Sequence, residues 1–298
     1  MSLDRRSFLR SVLASPLLVR NTPALAQQGL GSIGLQLYTV RTELTKDFQG
    51  TLAKLAAIGY GEVELDGLPE RPPLEIRAAL QSSGLRGISS HVSYDELGDR
   101  WPAIVERAGT IGLQHLVVVS VDAASRDQPG IWQRAAELFS RAGEVCKAAG
   151  IRLAYHNHVF EFAHPPGTTR RPYEILVEST DPSLVSLQLD LCWITAAAQE
   201  PLTYLSRYPG RFISVHVKDL RRLPARPARE GEVPDRRVLL PDLADVGQGV
   251  IDWRTLLPQC WSAGIRHFFV EHDAPVEPMA SAERSYRYLE RFRFDTPR

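Results

Sequence analysis

Residues 212–219, with the sequence FISVHVKD, join a short apolar segment to an abrupt run of charged side chains. β-Branched and aromatic residues dominate the apolar part, residues 212–217, and this composition is typical of a short buried strand. Seven other segments share its length and character, and they are residues 33–38, 61–66, 86–91, 115–121, 151–156, 186–191 and 266–271. The sequence therefore predicts eight buried strands.

Amphipathic helical segments separate the predicted strands. Residues 48–58 and 131–149 are two examples, and in the first of them Leu52, Leu55 and Ile58 recur at helical spacing. Strands that alternate with helices are joined by right-handed crossovers and lie parallel. The chain therefore consists of one repeated unit, a strand followed by a helix.

The number of units decides between the two common parallel α/β folds. Eight strands favour a closed barrel over an open doubly wound sheet. Residues 37–41, which follow the first strand, also lack the glycine-rich phosphate-binding sequence of a Rossmann fold. We therefore predict a single (β/α)8 TIM barrel over residues 27–298, and a barrel of this kind typically needs about 250 residues.

The overall composition excludes several functional classes. Lys and Arg number 35 and so do Asp and Glu, and the formal net charge is therefore zero. A neutral chain lacks the basic surface that nucleic-acid binding requires, and we expect no nucleic-acid partner. The three cysteines are too few and too scattered for a disulfide framework, and buried thiols are expected instead.

The first 26 residues have the features of an export signal. Arg5 and Arg6 form a twin-arginine pair, residues 12–19 are apolar, and residues 24–26 read Ala-Leu-Ala, as a signal peptidase requires. The apolar run is too short for a membrane span, which needs about 20 residues. We predict a twin-arginine signal peptide over residues 1–26, a periplasmic or exported protein, and no stable membrane insertion after cleavage. A basic amphipathic helix of the fold is the alternative.

One connection is unusually long. About thirty residues separate Asp219 from Trp253, and they are rich in Arg and Pro. A long polar segment at the exit of a barrel strand is more often functional than decorative. We expect it to form part of the roof of a site.

Polar side chains gather where the predicted strands end, and in a TIM barrel this end carries the active site. Six of the eight strands contribute, and the residues are Glu64, His91, His156, His158, Asp190, His216, Lys218 and Glu271. Each has an ordinary structural alternative: Asp190 can cap the next helix, and Glu64 can pair with a buried arginine. Their convergence on one axis favours a functional site.

Three of these residues suit a metal ion. Asp190, His216 and Glu271 lie on successive strands and offer mixed oxygen and nitrogen ligands. Such a set suits one divalent ion, Mn²⁺, Mg²⁺, Co²⁺ or Zn²⁺, with positions left open for substrate oxygens.

Longer motifs around these residues resemble the xylose isomerase-like superfamily. They are GYGEVEL (59–65), SSHVSYDEL (89–97), QLDLCW (188–193), HVKD (216–219), DVGQGVIDW (245–253) and VEHD (270–273). The resemblance covers residues 31–292 of a superfamily that includes sugar phosphate isomerases/epimerases, inosose isomerases and dehydratases, and endonuclease IV-type nucleases. It implies one divalent metal held by Glu, Asp, His and Glu on strands five to eight, of which the last three match Asp190, His216 and Glu271.

The chain departs from this family pattern on strand five. His156 stands where relatives carry the glutamate, and the resemblance makes it the fourth ligand. His158 faces the same way, because successive residues of a strand alternate faces. Glu161 is a reserve ligand or base. The nuclease branch is disfavoured, because strand four ends without a histidine and Trp193 replaces an expected strand-six ligand.

These residues together predict an enzyme that removes a proton next to a carbonyl group of a sugar. His158 or Glu271 moves the proton, and Glu64, His91 and Lys218 orient hydroxyl groups. Trp193 and Trp253 either offer apolar faces to a sugar ring or are ordinary packing residues. A solvated Lys218 paired with Asp219 is the alternative for that lysine.

The proton removal fits more than one reaction on a small sugar or keto-sugar. We expect a sugar isomerase/epimerase that forms an enolate or enediolate. The alternatives are a 3-keto-glycoside lyase/hydrolase, an inosose dehydratase-type lyase, and a noncatalytic sugar-binding barrel. The oligomeric state stays open, a homo-oligomer included.

Overall fold

The computed structural model describes residues 27–165, 167–225, 229 and 231–295. The predicted signal peptide, residues 1–26, lies outside the described residues, and export stays a prediction. Within the described ranges, no helix has both the length and the apolar character needed to cross a bilayer.

Eight parallel strands form a closed barrel, and the predicted fold is confirmed. In chain order they are β1 Ile33–Gln36, β2 Glu62–Leu65, β3 Arg86–Val92, β4 His115–Val118, β5 Arg152–His156, β6 Val185–Asp190, β7 Phe212–Val217 and β8 His267–Val270. The barrel closes because β8 pairs in parallel with both β7 and β1. The first strand is shorter than predicted, since a 3-10 turn, Leu37–Val40, begins directly after Gln36.

Helices surround this barrel. They are α1 Arg41–Lys46, α2 Phe48–Ile58, α3 Pro73–Ser82, α4 Trp101–Ile111, α5 Ile131–Ala148, α6 Pro172–Ser179, α7 Leu191–Ala196, α8 Pro201–Arg207, α9 Arg236–Leu239, α10 Trp253–Ser262 and α11 Pro278–Leu289. Helix α4 illustrates how they end: Gly112 adopts the left-handed conformation, with φ 95°, and its N–H bonds to the Ala108 carbonyl.

The two faces of the strands have different chemistry. Leu187 and Leu189 on β6, like Val215 and Val217 on β7, are buried in the hydrophobic core. The intervening residues, among them Gln188, are buried polar side chains directed into the barrel. The barrel interior is therefore a polar network, because buried polar groups must find partners in one another.

The segment between β7 and α10 is fixed by one carboxylate. Asp219 accepts hydrogen bonds from four backbone N–H groups and from the indole of Trp253; the backbone donors belong to Leu220, Gly247, Gly249 and Ile251. A Cβ atom at Gly249 would overlap Asp219 Oδ1, so only glycine fits there. The motifs HVKD and DVGQGVIDW are thus two halves of one structural unit.

Replacement of Asp219 tests this unit. We expect Asp219→Ala to lower the free energy of unfolding by more than about 3 kcal/mol, because each hydrogen bond to a charged group contributes roughly 1.5–3 kcal/mol. Asp242→Ala is the control, since that carboxylate pairs with the exposed Arg222 in the same segment, and its cost should stay below about 1 kcal/mol. Equal losses in urea unfolding would contradict the assignment.

Candidate active site

A cavity of about 790 Å³ opens at the carboxyl ends of the barrel strands. Among its lining residues are His91, His156, His158, Lys218, Glu271 and Asp273. Residues 233–237 of the long segment after β7 also line it, and this segment forms part of the roof, as its length and polarity indicated.

Asp190, His216 and Glu271 meet directly behind the residues that line this cavity, at a place that we call its floor; of the three, Glu271 is itself in the lining. Their ligand atoms lie within 4.8 Å of one another, and all three residues are buried. Asp190 Oδ1 accepts the Trp193 backbone N–H at 2.7 Å, so Asp190 does cap α7. Its other oxygen, Oδ2, has no hydrogen-bond partner among the described residues, although Lys218 Nζ lies 3.1 Å away. A buried carboxylate oxygen that accepts no hydrogen bond needs a cation nearby, and this suits a metal-binding position.

His216 connects the floor to the layer beneath it. Its Nε2 lies 2.5 Å from Glu64 Oε1, and its Nδ1 lies 2.7 Å from Glu271 Oε2. Burial alone would lower the pKa of His216, but the carboxylates of Glu64 and Glu271 outweigh it and raise that pKa to about 9. Because Glu64 holds the Nε2 proton, Nδ1 is the nitrogen that faces the cation position.

Glu64 was predicted to orient substrate hydroxyls, and this prediction is wrong. Its Oε2 accepts hydrogen bonds from Ser89 at 2.6 Å and Gln188 at 2.8 Å. Its Oε1 lies against Gln36, His91 and His216. Glu64 pairs in register with Ser89, so it lies one inward position below His91 and does not line the cavity.

Two buried glutamines of this lower layer, Gln36 and Gln188, were not predicted from the sequence. Gln188 lies two residues before Asp190 on β6, and strand alternation places both on the inner face. That alternation could have predicted an inward position for Gln188, but an uncharged amide does not by itself indicate a functional residue.

His156, at the end of β5, is the residue predicted as the fourth metal ligand. Gln188 donates its amide N–H to Glu64, so its Oε1 must accept from His156 Nδ1, 2.9 Å away. The lone pair on His156 Nε2 therefore faces Asp190 Oδ2, at 3.8 Å. Burial lowers the pKa of His156 well below its usual value, so the ring is a neutral ligand. Ligand atoms of His91, His156 and His216 also lie within 4.8 Å of one another, so His91 is a further nitrogen beside this site.

His158 projects into the same cavity beside His156, with the two ring centres 4.9 Å apart. Its Nδ1 has no hydrogen-bond partner among the described residues. Burial, followed by the charges of Arg236 and Lys218, holds the pKa of His158 well below its usual range. His158 is therefore a neutral imidazole with a nitrogen free to accept a proton.

Glu161 is neither a metal ligand nor a base of this cavity, so its place as a reserve is a wrong prediction. Its Oε1 accepts from the Tyr155 hydroxyl at 2.7 Å, and its Oε2 accepts from the His158 backbone N–H at 2.9 Å. Burial raises the pKa of Glu161 to about 7. The carboxyl group fixes the backbone that carries His158, on the side of β5 that faces the helices.

Lys218 is surrounded by carboxylates. Its ammonium lies 2.6 Å from Glu271 Oε2, 3.1 Å from Asp190 Oδ2 and 3.1 Å from Asp273 Oδ2. The alternative pairing with Asp219 is wrong, because that carboxylate turns away to the loop that it organises. These anions outweigh burial and raise the pKa of Lys218 well above its usual value.

Neither tryptophan lines the cavity, so the prediction of an apolar substrate face is wrong for both. Trp193 lies in the first turn of α7 and is completely buried, with Lys218 Nζ 5.1 Å from its ring centre. Trp253 donates its indole N–H to Asp219. The aromatic side chains that do line the cavity are Tyr38 and Phe160.

A family model described as "Xylose isomerase-like TIM barrel" matches residues 52–291 of this barrel. The chain belongs to this family. The resemblance inferred from the motifs is thereby confirmed at the level of the family.

Curated proteins and solved structures are similar to most of the chain. An inosose dehydratase of Geobacillus kaustophilus (strain HTA426) is 22% identical over 267 residues, which is 80% of this chain and 85% of that protein. A sugar phosphate isomerase/epimerase from Parabacteroides distasonis ATCC 8503 is 23% identical with a TM-score of 0.73. The match covers 88% of this chain and 98% of that chain. The IOLI protein, solved with a zinc atom, is 15% identical with a TM-score of 0.65. The match covers 87% of this chain and 96% of that chain. The two solved structures support the fold.

Replacing Asp190 tests its role as a metal ligand. Asp190→Asn keeps the helix cap, because asparagine caps as well as aspartate, but it removes the anionic oxygen. We expect metal affinity to fall more than about 100-fold, beyond the loss typical of outer-shell partners, with little change in the unfolding midpoint. Asp66→Asn, in the same cavity but outside the triad, is the control. Undiminished metal content by mass spectrometry would remove Asp190 from the ligand set.

The protonation of His216 gives metal binding a pH dependence. Below pH 9 the metal-free protein carries a proton on His216 that a metal ion must displace. The apparent affinity should therefore rise with pH, by up to about tenfold per unit between pH 6.5 and 8.5. Calorimetric titration with Mn²⁺ across this range measures it, and a flat profile would exclude His216 as a ligand.

Proposed function

We propose that this chain is a divalent-metal-dependent sugar isomerase that removes a proton next to a carbonyl group and forms an enediolate. One observation carries the proposal: His158, whose buried Nδ1 has no hydrogen-bond partner among the described residues, lines the same cavity as Glu271 of the triad with Asp190 and His216. A base and an anionic cation site are the two parts that such a reaction needs.

Asp190, His216, Glu271 and His156 would hold the metal ion. The donor set supports this, since it combines two carboxylates with two imidazole nitrogens and includes Oδ2 of Asp190, which accepts no hydrogen bond and is paired only with the charge of Lys218. Such a set suits Mn²⁺, Mg²⁺, Co²⁺ or Zn²⁺. When bound, the ion supplies a Lewis acid for the substrate oxygens.

His158 is the proton carrier in this proposal. Its neutral imidazole accepts the proton from the carbon next to the carbonyl, and the C–H electron pair becomes the C=C bond of the enediolate. The imidazolium then returns the proton to the neighbouring carbon, while a hydroxyl proton passes between the two oxygens. Lys218 brings a positive charge that stabilises the developing oxyanion.

His158 and Glu271 differ in how free they are to accept a proton. Glu271 is the other candidate for proton transfer, but its Oε2 already lies between Lys218 at 2.6 Å and His216 at 2.7 Å. The positive charges of Lys218 and His216 outweigh burial and lower the pKa of Glu271, and both cations already engage the oxygen that would accept a proton. This contrast supports His158 as the group that moves a proton between adjacent carbons.

A lyase reaction is the second candidate, on a 3-keto-glycoside or an inosose. The inosose dehydratase relative, similar over 80% of the chain, favours it. The first step is the same, but the His158 imidazolium gives its proton to the oxygen that leaves from the β carbon. The C–O bond breaks and an unsaturated ketone forms.

Export remains part of the proposal, and Arg5, Arg6 and the apolar run at 12–19 support it. An exported enzyme meets free sugars and keto-glycosides rather than phosphorylated ones. Replacing both arginines with lysine should leave the full-length precursor in the cytoplasm in cell fractionation. Normal export of that variant would exclude the twin-arginine route.

Hydrogen–deuterium exchange tests the proposed chemistry across several classes of sugar at once. The metal-loaded protein is incubated in D₂O with aldoses, ketoses, inososes and 3-keto-glycosides, and NMR follows the proton next to the carbonyl. We expect exchange with at least one of them. A ketose or aldose product supports the isomerase, an unsaturated ketone supports the lyase, and no exchange with any compound supports a noncatalytic binding barrel.

Replacement of His158 with glutamine should lower turnover by about 10²–10⁴-fold, the range of general acid–base catalysis, and leave metal content unchanged. His164→Gln is the control, because that histidine lies outside the cavity lining. Full activity of the His158 variant would exclude it as the base.

A further inference from the structure

The ammonium of Lys218 contacts two of the oxygens that the proposed metal site requires. Asp190 Oδ2 and Glu271 Oε2 lie 3.1 Å and 2.6 Å from Nζ. These two carboxylates belong to the triad whose ligand atoms lie within 4.8 Å of one another. Lys218 is only 1% exposed, so little solvent screens its charge.

An ammonium and a divalent ion repel each other strongly at such a distance. At 4 Å and an effective dielectric constant of 20, a single pair of unit charges already interacts with about 4 kcal/mol, and a dication doubles that. This repulsion disfavours a state in which both cations keep these contacts. We propose that the metal ion and the Lys218 ammonium exchange for Asp190 and Glu271, and that Asp273 holds the ammonium when the metal is bound. This inference rests on the proposed metal site.

Asp273 has the position that this role requires. Its Oδ2 already lies 3.1 Å from Lys218 Nζ, and it belongs to neither group of metal-ligating side chains. Its Oδ1 lies 3.2 Å from Arg236, which comes from α9 in the roof. Asp273 lines the cavity, so an ammonium that keeps only this contact moves off the floor toward the substrate.

The exchange gives Lys218 two tasks. Without metal, its charge compensates carboxylates that would otherwise repel one another in the buried floor. With metal, the same charge faces the cavity, where it meets a substrate oxyanion. Asp273 is thus a positioning residue, which acts through Lys218 rather than on the substrate.

A double-mutant cycle on metal affinity tests the exchange. Calorimetry with Mn²⁺ is run on metal-free wild type, Asp273→Asn, Lys218→Met and the double variant. Lys218→Met should bind Mn²⁺ more tightly, because the competing ammonium is gone. Asp273→Asn should weaken binding by about 10–100-fold, as other outer-shell changes do. In the Lys218→Met background that loss should shrink by at least about tenfold, since the two residues act together.

Two outcomes of the cycle would overturn the proposal. An equal loss from Asp273→Asn in both backgrounds would mean that Asp273 acts only through its charge. Weaker Mn²⁺ binding by Lys218→Met would mean that the ammonium does not compete. The control is Asp235→Asn, a cavity carboxylate that contacts Arg237 and not Lys218, and it should leave the affinity nearly unchanged.

Crystals of the wild type keep the test decisive if Lys218→Met does not fold. With Mn²⁺ bound, Lys218 Nζ should leave hydrogen-bonding distance of Asp190 Oδ2 and retain Asp273. Retention of all three carboxylate contacts would overturn the exchange. Neither measurement uses turnover, so an exchange that is observed without sugar deuteration would contradict the proposed reaction alone. Failure to bind Mn²⁺ would contradict both proposals.

Discussion

The imidazole of His216, held between Glu64 and Glu271, is the interaction on which the candidate site depends. A barrel interior filled with apolar side chains needs no such contact, but here the inward positions of several strands are polar and buried. Glu64 receives hydrogen bonds from Ser89 and Gln188 and lies 2.5 Å from His216 Nε2. The lower layer therefore determines which nitrogen of His216 faces upward, and Gln188 does the same for His156.

A second constraint connects the roof to the floor. Asp219, next to Lys218 in sequence, turns away from the cavity and organises the loop at 247–253 through backbone N–H groups. The segment that this loop completes carries Arg236 back over the cavity, where it pairs with Asp273. Lys218 and Asp219, neighbours in the HVKD motif, thus have different structural roles. The lysine enters the site, and the aspartate holds the segment that covers it.

The sequence was sufficient for the fold and for the face on which each site residue lies. Apolar runs marked all eight strands, and alternation placed Asp190, His216 and His156 inside the barrel. The alternation of side chains along a strand does not show how far along the barrel axis each residue lies. For that reason Glu64 was expected beside the substrate, although it lies one layer below the cavity. It also does not apply beyond the strand ends, where Glu161 and Trp193 turn into the core. Gln36 and Gln188 were missed because an uncharged amide gains importance only from its partners.

The central claim is that the buried triad of Asp190, His216 and Glu271 holds one divalent ion beneath the base His158. Anomalous X-ray diffraction from crystals grown with Mn²⁺ tests it most directly, because the signal locates the ion independently of any assumed chemistry. We expect a single strong peak bounded by Asp190, His216 and Glu271, with His156 at its edge. A peak enclosed by the histidines without either carboxylate, or no peak within the barrel, would contradict it.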